Sequence, residues 1–254
     1  MKERVLKNQR ILIIGANSGI AKSLAAKVHH NGTNHLILVS RDLSAYNSFN
    51  QDNIEKIQLA NYSPDSIEQT VKRLEKGDLA KDKTLPITRI FICHGILHTK
   101  NIHPEKRLED ISLHAFEQVM NVNTITPLLW IKALTPLLTS PDECKITVFS
   151  ARVGSINDNH LGGWYCYRAS KAALNMLLKT AAIELARRAK NIKLISFHPG
   201  TTDTELSKPF QKNVPNGKLF TCDFVADKLL AIIDNTPIDG ELSYLDWQGE
   251  KIAW

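Results

Sequence analysis

The stretch "RILIIGANSGIAKSLAAKV" constrains this chain more than any other part of it. Residues 10–15 form a short apolar run closed by Gly15, and apolar side chains then recur at helical spacing through Ile20, Leu24 and Val28 towards Gly32. A strand that turns straight into a helix opens a β-α-β unit, and the pattern repeats along the chain. Strand-like runs at 35–40, 54–60, 89–95, 145–150 and 192–200 alternate with helix-like runs. One helix follows Ser63 as its cap, with Pro64 in the first turn and Gly77 past the end; others are expected at about 112–138, 163–189 and 223–234. The segment "GELSYLDWQG" reads as a last, edge strand.

Apolar strands joined by helices require a parallel sheet covered on both faces. The expected fold class is therefore α/β: a single doubly wound Rossmann-type domain over residues 1–254, with a mainly parallel sheet flanked by helices. Ligands of such sheets bind beyond the carboxyl ends of the strands, so the residues there are the candidate site.

Composition narrows the partners. A chain that is 43% hydrophobic and 23% charged is that of a soluble globular protein, and no apolar run has the length of a membrane span. A glycine comes too early in the sequence for a signal peptide, so a cytoplasmic protein without a membrane partner is expected. The net charge of +6 comes from scattered basic residues, and the one dense run, "ELARRAKNIK", reads as a solvated helix end rather than a nucleic-acid surface. Cys93, Cys144, Cys166 and Cys222 lie too far apart for a zinc or redox pair, so reduced structural thiols and no metal are expected.

The first strand end, "GANSGIA", is a glycine-rich turn opening a helix. Gly15 permits the tight turn, Gly19 lets the backbone approach a pyrophosphate, and the free N–H groups of the helix start favour an anion. The second strand ends in "LVSRD", where Arg41 suits the 2'-phosphate of NADP and Asp42 the ribose hydroxyl of NAD. Further on, "YRASK" places Tyr167 and Lys171 four residues apart on one helix face, whereas Tyr165 is offset by two residues. A nearby ammonium can favour the phenolate, which makes Tyr167 a candidate proton donor and acceptor.

These motifs, in this order, resemble the short-chain dehydrogenase/reductase family, with its G-x-x-x-G-x-G turn and Y-x-x-x-K pair; "SARVGSI" followed by "GGWYCYRASKAALN" is similar to the C-factor-like and sniffer-like subgroup. The resemblance implies catalytic Tyr167, Lys171 and, from "FEQVMNVNT", Asn123 rather than Asn121. It implies a cofactor site of Gly15, Asn17, Ser18, Gly19, Ile20, Ser40, Arg41, His94, Gly95, Tyr167 and Lys171, joined by Pro199, Gly200, Thr202 and Thr204 of "HPGTTDT". NADP(H) is the expected cofactor, with NAD(H) possible. Departures are visible too: Ile14 replaces a usual threonine, Ala21 the third glycine, Ala60 an acidic residue near the adenine, and "ICHG" a usual N-N-A-G. His94 is expected as a cofactor wall or packing residue.

In "FSARVGS" the position of the family's serine falls on Ala151. Ser155 could curl in, Ser150 could fit if the strand is bulged, or nothing replaces it. With Trp164 these residues are the substrate-pocket candidates, and residues 205–220 would cover the pocket. The implied function is an NADP(H)-dependent oxidoreductase interconverting a small-molecule carbonyl and an alcohol; the alternative is a low-turnover NAD(P)-binding sensor or signalling protein. The resemblance also implies a homodimer or homotetramer, built on a stripe of Ala169, Ala172, Ala173, Met176, Leu177 and Ala181.

Overall fold

The computed structural model describes residues 9–30, 34–76 and 85–254; Gly32 and Gly77, expected as helix terminators, lie outside them. The order is β1 (Arg10–Ile14), α1 (Gly19–His30), β2 (His35–Ser40), β3 (Ile54–Gln58), α2 (Pro64–Lys76), β4 (Ile87–Ile92), α3 (Leu113–Met120), α4 (Thr126–Leu138) and β5 (Cys144–Phe149). Then follow α5 (Tyr165–Arg188), β6 (Ile192–His198), β7 (Thr201–Thr202), β8 (Leu219–Phe220), α6 (Cys222–Asn235) and β9 (Ser243–Asp246). Seven strands form one sheet in the order β3-β2-β1-β4-β5-β6-β9, every neighbouring pair parallel, with β9 at the edge. The chain reverses its direction of winding between β1 and β4, and the crevice above that pair is where a doubly wound sheet places its ligand.

Strand pleating divides the core. Ile11, Ile13, Leu36, Leu38, Phe91, Ile195 and Phe197 face α1 and α6, while their neighbours Leu12, Ile14, Ile37, Val39, Ile90, Ile146 and Val148 face α2, α4 and α5. Both faces being covered is why the strands read as continuous apolar runs rather than alternating ones. Towards the amino ends of the strands, Arg89, Lys145 and Lys193 stand in register on the adjacent strands β4, β5 and β6. Arg89 pairs with Asp234, Lys145 donates to the Ile233 carbonyl at 2.7 Å, and the fully buried Lys193 pairs with Asp239. Two of these cations thus sit at the carboxyl end of α6, where the helix dipole favours positive charge.

Several local expectations hold. Ser63 accepts from Ser66 N at 3.3 Å ahead of α2, the "ELARRAKNIK" arginines 187 and 188 are solvated at the end of α5, and all four cysteines are free. One expectation needs correction. The continuous helix at 112–138 is two helices joined by a single π turn, Asn121–Ile125. Pro127 lacks the N–H that would bond the Asn123 carbonyl four residues back, and its ring crowds that carbonyl, so the helix takes up an extra residue there.

Candidate active site

At the β1 end, Gly15 has φ of 75°, and a Cβ on it would lie 2.8 Å from the His94 nitrogen. The turn can therefore pack against the end of β4 only as glycine. A Cβ on Gly19 would lie 3.0 Å from the Cys222 Sγ and 3.1 Å from Thr204, so this glycine also brings the "TTDT" loop onto the turn. Ser18 caps α1 by accepting from Ala21 N at 3.3 Å, and Tyr46 donates to the Ala16 carbonyl at 2.5 Å, holding the turn from below. Asn17, Ser18 and Gly19 stay partly exposed at the helix start, above the buried Ile20. A cradle that side chains would fill, open to solvent and lined by helix N–H groups, fits a pyrophosphate.

Beyond β2 the buried Ser40 leads into the exposed Arg41, whose guanidinium lies 5.6 Å from the Tyr62 ring centroid. Among the described residues no carboxylate pairs with it. Asp42 accepts instead from Ser44 N at 2.9 Å, the bond that chiefly holds its carboxyl below the usual range, and from Asn17 Nδ2 at 3.0 Å. At the end of β4, His94 stacks on Tyr62 at 5.1 Å, and neither ring nitrogen has a hydrogen-bond partner. Burial, then the charges of Lys171 and Arg41, depress its pKa to about 3, so it is neutral.

The π turn carries Asn123 into the centre of the molecule, while Asn121 remains exposed. Asn123 Oδ1 accepts from Ile96 N at 2.7 Å, and its Nδ2 donates to the Ile96 carbonyl at 2.8 Å and to Ser170 Oγ at 3.1 Å. The loop after β4 is thereby pinned to α5. Gly95 leaves room for this arrangement, since a Cβ there would lie 3.3 Å from Asn123 Oδ1 and 3.7 Å from Lys171 Nζ.

Tyr167 and Lys171 both point inward from α5. Lys171 Nζ donates to the Phe149 carbonyl at 2.8 Å and lies 5.8 Å from the Tyr167 ring centroid. Burial lowers the Lys171 pKa to about 7, and burial pushes the Tyr167 phenol up. The nearby Tyr244 adds to this rise, and the lowering expected from the ammonium is not among the contributions. Tyr165, partly exposed, is not among the residues that pack with Tyr167.

Around the phenol lies an apolar cluster of Leu97, Ala151, Val153, Trp164, Leu206 and Phe210. Ala151 faces Tyr167 because strand pleating turns Ser150 the other way, where its hydroxyl donates to Asn175 Oδ1 at 2.8 Å. Ser155 Oγ is likewise engaged, accepting from Asp158 N at 3.1 Å. Trp164 is held by three successive left-handed residues, Gly162, Gly163 and Trp164 itself with φ of 53°. Its ring lies 6.2 Å from Tyr167 and 4.9 Å from Phe210.

Residues 205–220, which end in β8 paired with β7, contribute Leu206 and Phe210 to this cluster. Pro199 leads into Gly200, which has φ of 72° and packs under Phe220 and Trp247; Thr202 is buried and Thr204 bonds back to its carbonyl. Three contributors carried no signal in the sequence reading. His98 Nε2 lies 3.2 Å from both the Glu205 and Leu206 carbonyls, Glu105 accepts from Cys166 N at 3.2 Å at the start of α5, and Tyr62 stacks on His94. Each acts through a partner distant in the chain.

The chain is 28% identical over 247 residues to 1-hydroxy-2-glutathionyl-2-methyl-3-butene dehydrogenase of Rhodococcus sp. (strain AD45), covering 96% of this chain and 99% of that one. It is 28% identical over 147 residues to C-signal of Myxococcus xanthus, covering 58% of this chain and 83% of the other. Among solved structures it resembles the carbonyl reductase Sniffer of D. melanogaster, with a TM-score of 0.81 at 22% identity, over 98% of this chain and 100% of that one. An NADPH-bound carbonyl reductase from chicken fatty liver follows at 0.80 and 22%, over 98% and 100%. Residues 9–215 match the profile of the short chain dehydrogenases, and the chain belongs to that family.

Proposed function

We propose that this protein is an NADP(H)-dependent oxidoreductase that interconverts a carbonyl and an alcohol, with Tyr167 as the group that exchanges the proton. The observation that carries the reading is the buried Tyr167 side chain, with Lys171 Nζ 5.8 Å from its ring centroid and Leu97 and Ala151, from the loops after β4 and β5, packed around it. The nicotinamide, when bound, supplies the hydride. Gly15, Asn17, Ser18, Gly19 and Ile20 would hold the pyrophosphate side. Ser40 and Arg41 would hold the adenosine ribose, with His94 and Gly95 as the wall and Pro199, Gly200, Thr202 and Thr204 on the far side.

NADP(H) rather than NAD(H) is supported by Arg41, which is unpaired among the described residues, and by the engagement of Asp42 with Asn17. Arg41 offers a forked donor for a phosphate, whereas the carboxylate that would hold a ribose hydroxyl is already bonded. Solved neighbours that bind NADP or NADPH support the same choice. Asn123 positions: its side chain pins the β4 loop to α5 and so sets the distance between the crevice and Tyr167.

A second reading, a nucleotide-binding sensor that turns over slowly, is favoured by one observation, the methyl of Ala151 where a second hydroxyl would face the phenol. NADPH oxidation with a panel of aldehydes, ketones and quinones separates the two. Turnover that disappears in Tyr167→Phe establishes the enzyme; cofactor binding without turnover of any of them establishes the sensor.

A further inference from the structure

The first turn of α5 starts from a strained corner that the helix does not hold by itself. Gly162, Gly163 and Trp164 stand in the left-handed region at φ of 65°, 65° and 53°, and Trp164 is the one residue other than glycine there among those described. A side chain in that region costs free energy and persists only where the surroundings over-determine it. Trp164 is also the N-cap of α5, and its indole makes no capping hydrogen bond to the free N–H groups of the turn.

Those groups find their acceptors in the loop after β4. The Glu105 carbonyl accepts from Trp164 N at 2.5 Å, and Glu105 Oε2 accepts from Cys166 N at 3.2 Å. A Cβ on Gly163 would lie 3.3 Å from the same carbonyl, so glycine is what lets the two segments approach. On the other side of the corner, Arg168 donates to the Gly163 and Gly162 carbonyls at 2.9 Å and 3.1 Å. Glu105 is 3% exposed, and among the described residues no cation pairs with it. A buried carboxylate is costly without compensation, and the N–H groups at the start of α5 supply it. The Cys166 thiol is pushed up to about 12 by burial and then by its bond to Glu105, so it stays protonated beside the carboxylate.

Further along the helix lies a second grip. Asn123 Nδ2 donates to the Ile96 carbonyl and to Ser170 Oγ, and Ser170 Oγ donates to the Tyr167 carbonyl at 2.8 Å. The loop after β4 thus holds α5 at residues 164–166 through Glu105 and at Ser170 through Asn123, and Tyr167 lies in the turn between. Trp164, carried by the corner, meets the Tyr167 ring edge-on at 6.2 Å. Later turns of α5 are anchored separately by the buried Leu174, Leu178 and Leu185, so releasing the Glu105 grip frees the turn that carries Tyr167 and little else.

Resting on the oxidoreductase reading above, we propose that Glu105 is a positioning residue for the proton transfer, holding the left-handed corner and the first turn of α5 so that the Tyr167 phenol keeps its place. It acts through Tyr167, by the reach of its acceptor oxygen rather than by its charge.

The test compares Glu105→Gln, Glu105→Asp and Glu105→Ala with the parent, using NADPH and whichever of 4-nitrobenzaldehyde, cyclohexanone and 1,4-naphthoquinone the parent reduces fastest. Turnover is expressed per NADPH-binding site counted by fluorescence titration, so an unfolded fraction does not register as lost catalysis. Gln offers an acceptor of the same reach, and its kcat per site is expected within about threefold of the parent. Asp keeps the charge but is a methylene shorter, and Ala has no acceptor. Both should lose about tenfold to 10²-fold in kcat per site, the scale of a small misplacement of a reacting group. The Kd for NADPH should stay within about twofold in all three, because the nucleotide turn lies on other elements. Should Glu105→Ala fail to fold, the contrast between Asp and Gln decides. Parent-like kcat per site in Asp, or a loss in Gln as large as that in Asp, overturns the role of Glu105 while the oxidoreductase reading stands. A fall in activity that only matches the fall in NADPH sites overturns it likewise. A parent that binds NADPH and reduces none of the three carbonyls overturns the oxidoreductase reading and this role with it.

Discussion

Lys171 Nζ sits 5.8 Å from the centre of the Tyr167 ring while donating a 2.8 Å hydrogen bond to the Phe149 carbonyl, the last residue of β5. The cation is thus fixed by the strand that precedes Ala151, not by the phenol. Helix and strand are held together at the point where both meet the apolar cluster around the phenol.

If Tyr167 donates the proton, Tyr167→Phe should reduce turnover by about 10²-fold or more while leaving NADPH bound as in the parent. Tyr165→Phe should change turnover little, because that ring is outside the cluster. Steady-state NADPH oxidation and a fluorescence titration of both variants check this; full activity in Tyr167→Phe would remove the mechanism.

Burial depresses the Lys171 ammonium from its ordinary value of 10.5 to about 7. Between those values the unfolded chain binds a proton that the folded protein lacks. This lysine therefore costs stability fully below about pH 7, and the cost fades as the pH rises towards 10.5. Lys171→Met should lower kcat and yet raise the melting temperature, by about 5 °C in mildly acid solution and by much less near pH 10. Thermal melts of the cofactor-free variant across pH provide the check; a gap that widens with pH would contradict it.

The proposed cofactor choice is tested at Arg41. NADPH is expected to bind at least about tenfold tighter than NADH, and Arg41→Ala should remove most of the difference through the NADPH term alone. Titration of both nucleotides against parent and variant measures it, and equal affinities in the parent would defeat the assignment.

Ala151→Ser should place a hydroxyl opposite Tyr167 and raise reduction of unactivated carbonyls by about tenfold or more. Ser155→Ala should have little effect on turnover, because its hydroxyl serves Asp158 N. No gain in the first variant, together with a large loss in the second, would instead show that the loop serine supplies the second donor.

The stripe on α5 leaves Met176 67% exposed, and Ala169, Ala172, Ala173, Leu177 and Ala181 are all partly open. A dimer or tetramer that covers this face is expected in solution. Light scattering at micromolar concentration should give a mass at least twice that of the chain, and Met176→Glu should shift it towards the monomer.

Much of this was legible in the sequence because it is local. The period of the apolar residues separates strands from helices, Gly15 marks a turn that a Cβ would block, and the spacing of Tyr167 and Lys171 puts both on one helix face whatever surrounds it. Even the π turn had a local cause in Pro127, which a reading based on apolar spacing passes over.

Tertiary structure decided what depends on residues far apart. That Asp42 is bonded to Asn17 is settled across 25 positions. That Glu105 caps α5 is settled across 61, and that His98 meets Leu206 across 108. The choice among Ser150, Ala151 and Ser155 turned on which side of β5 each side chain leaves, and on whether Asn175 or Asp158 stood ready to bind the serine hydroxyls. Hydrogen-bond partners and burial follow from packing of distant elements, and local propensity is blind to them. For the same reason the two ionisable groups could be named from their spacing, but the direction of the Tyr167 shift was set only when the folded protein removed the phenol from water.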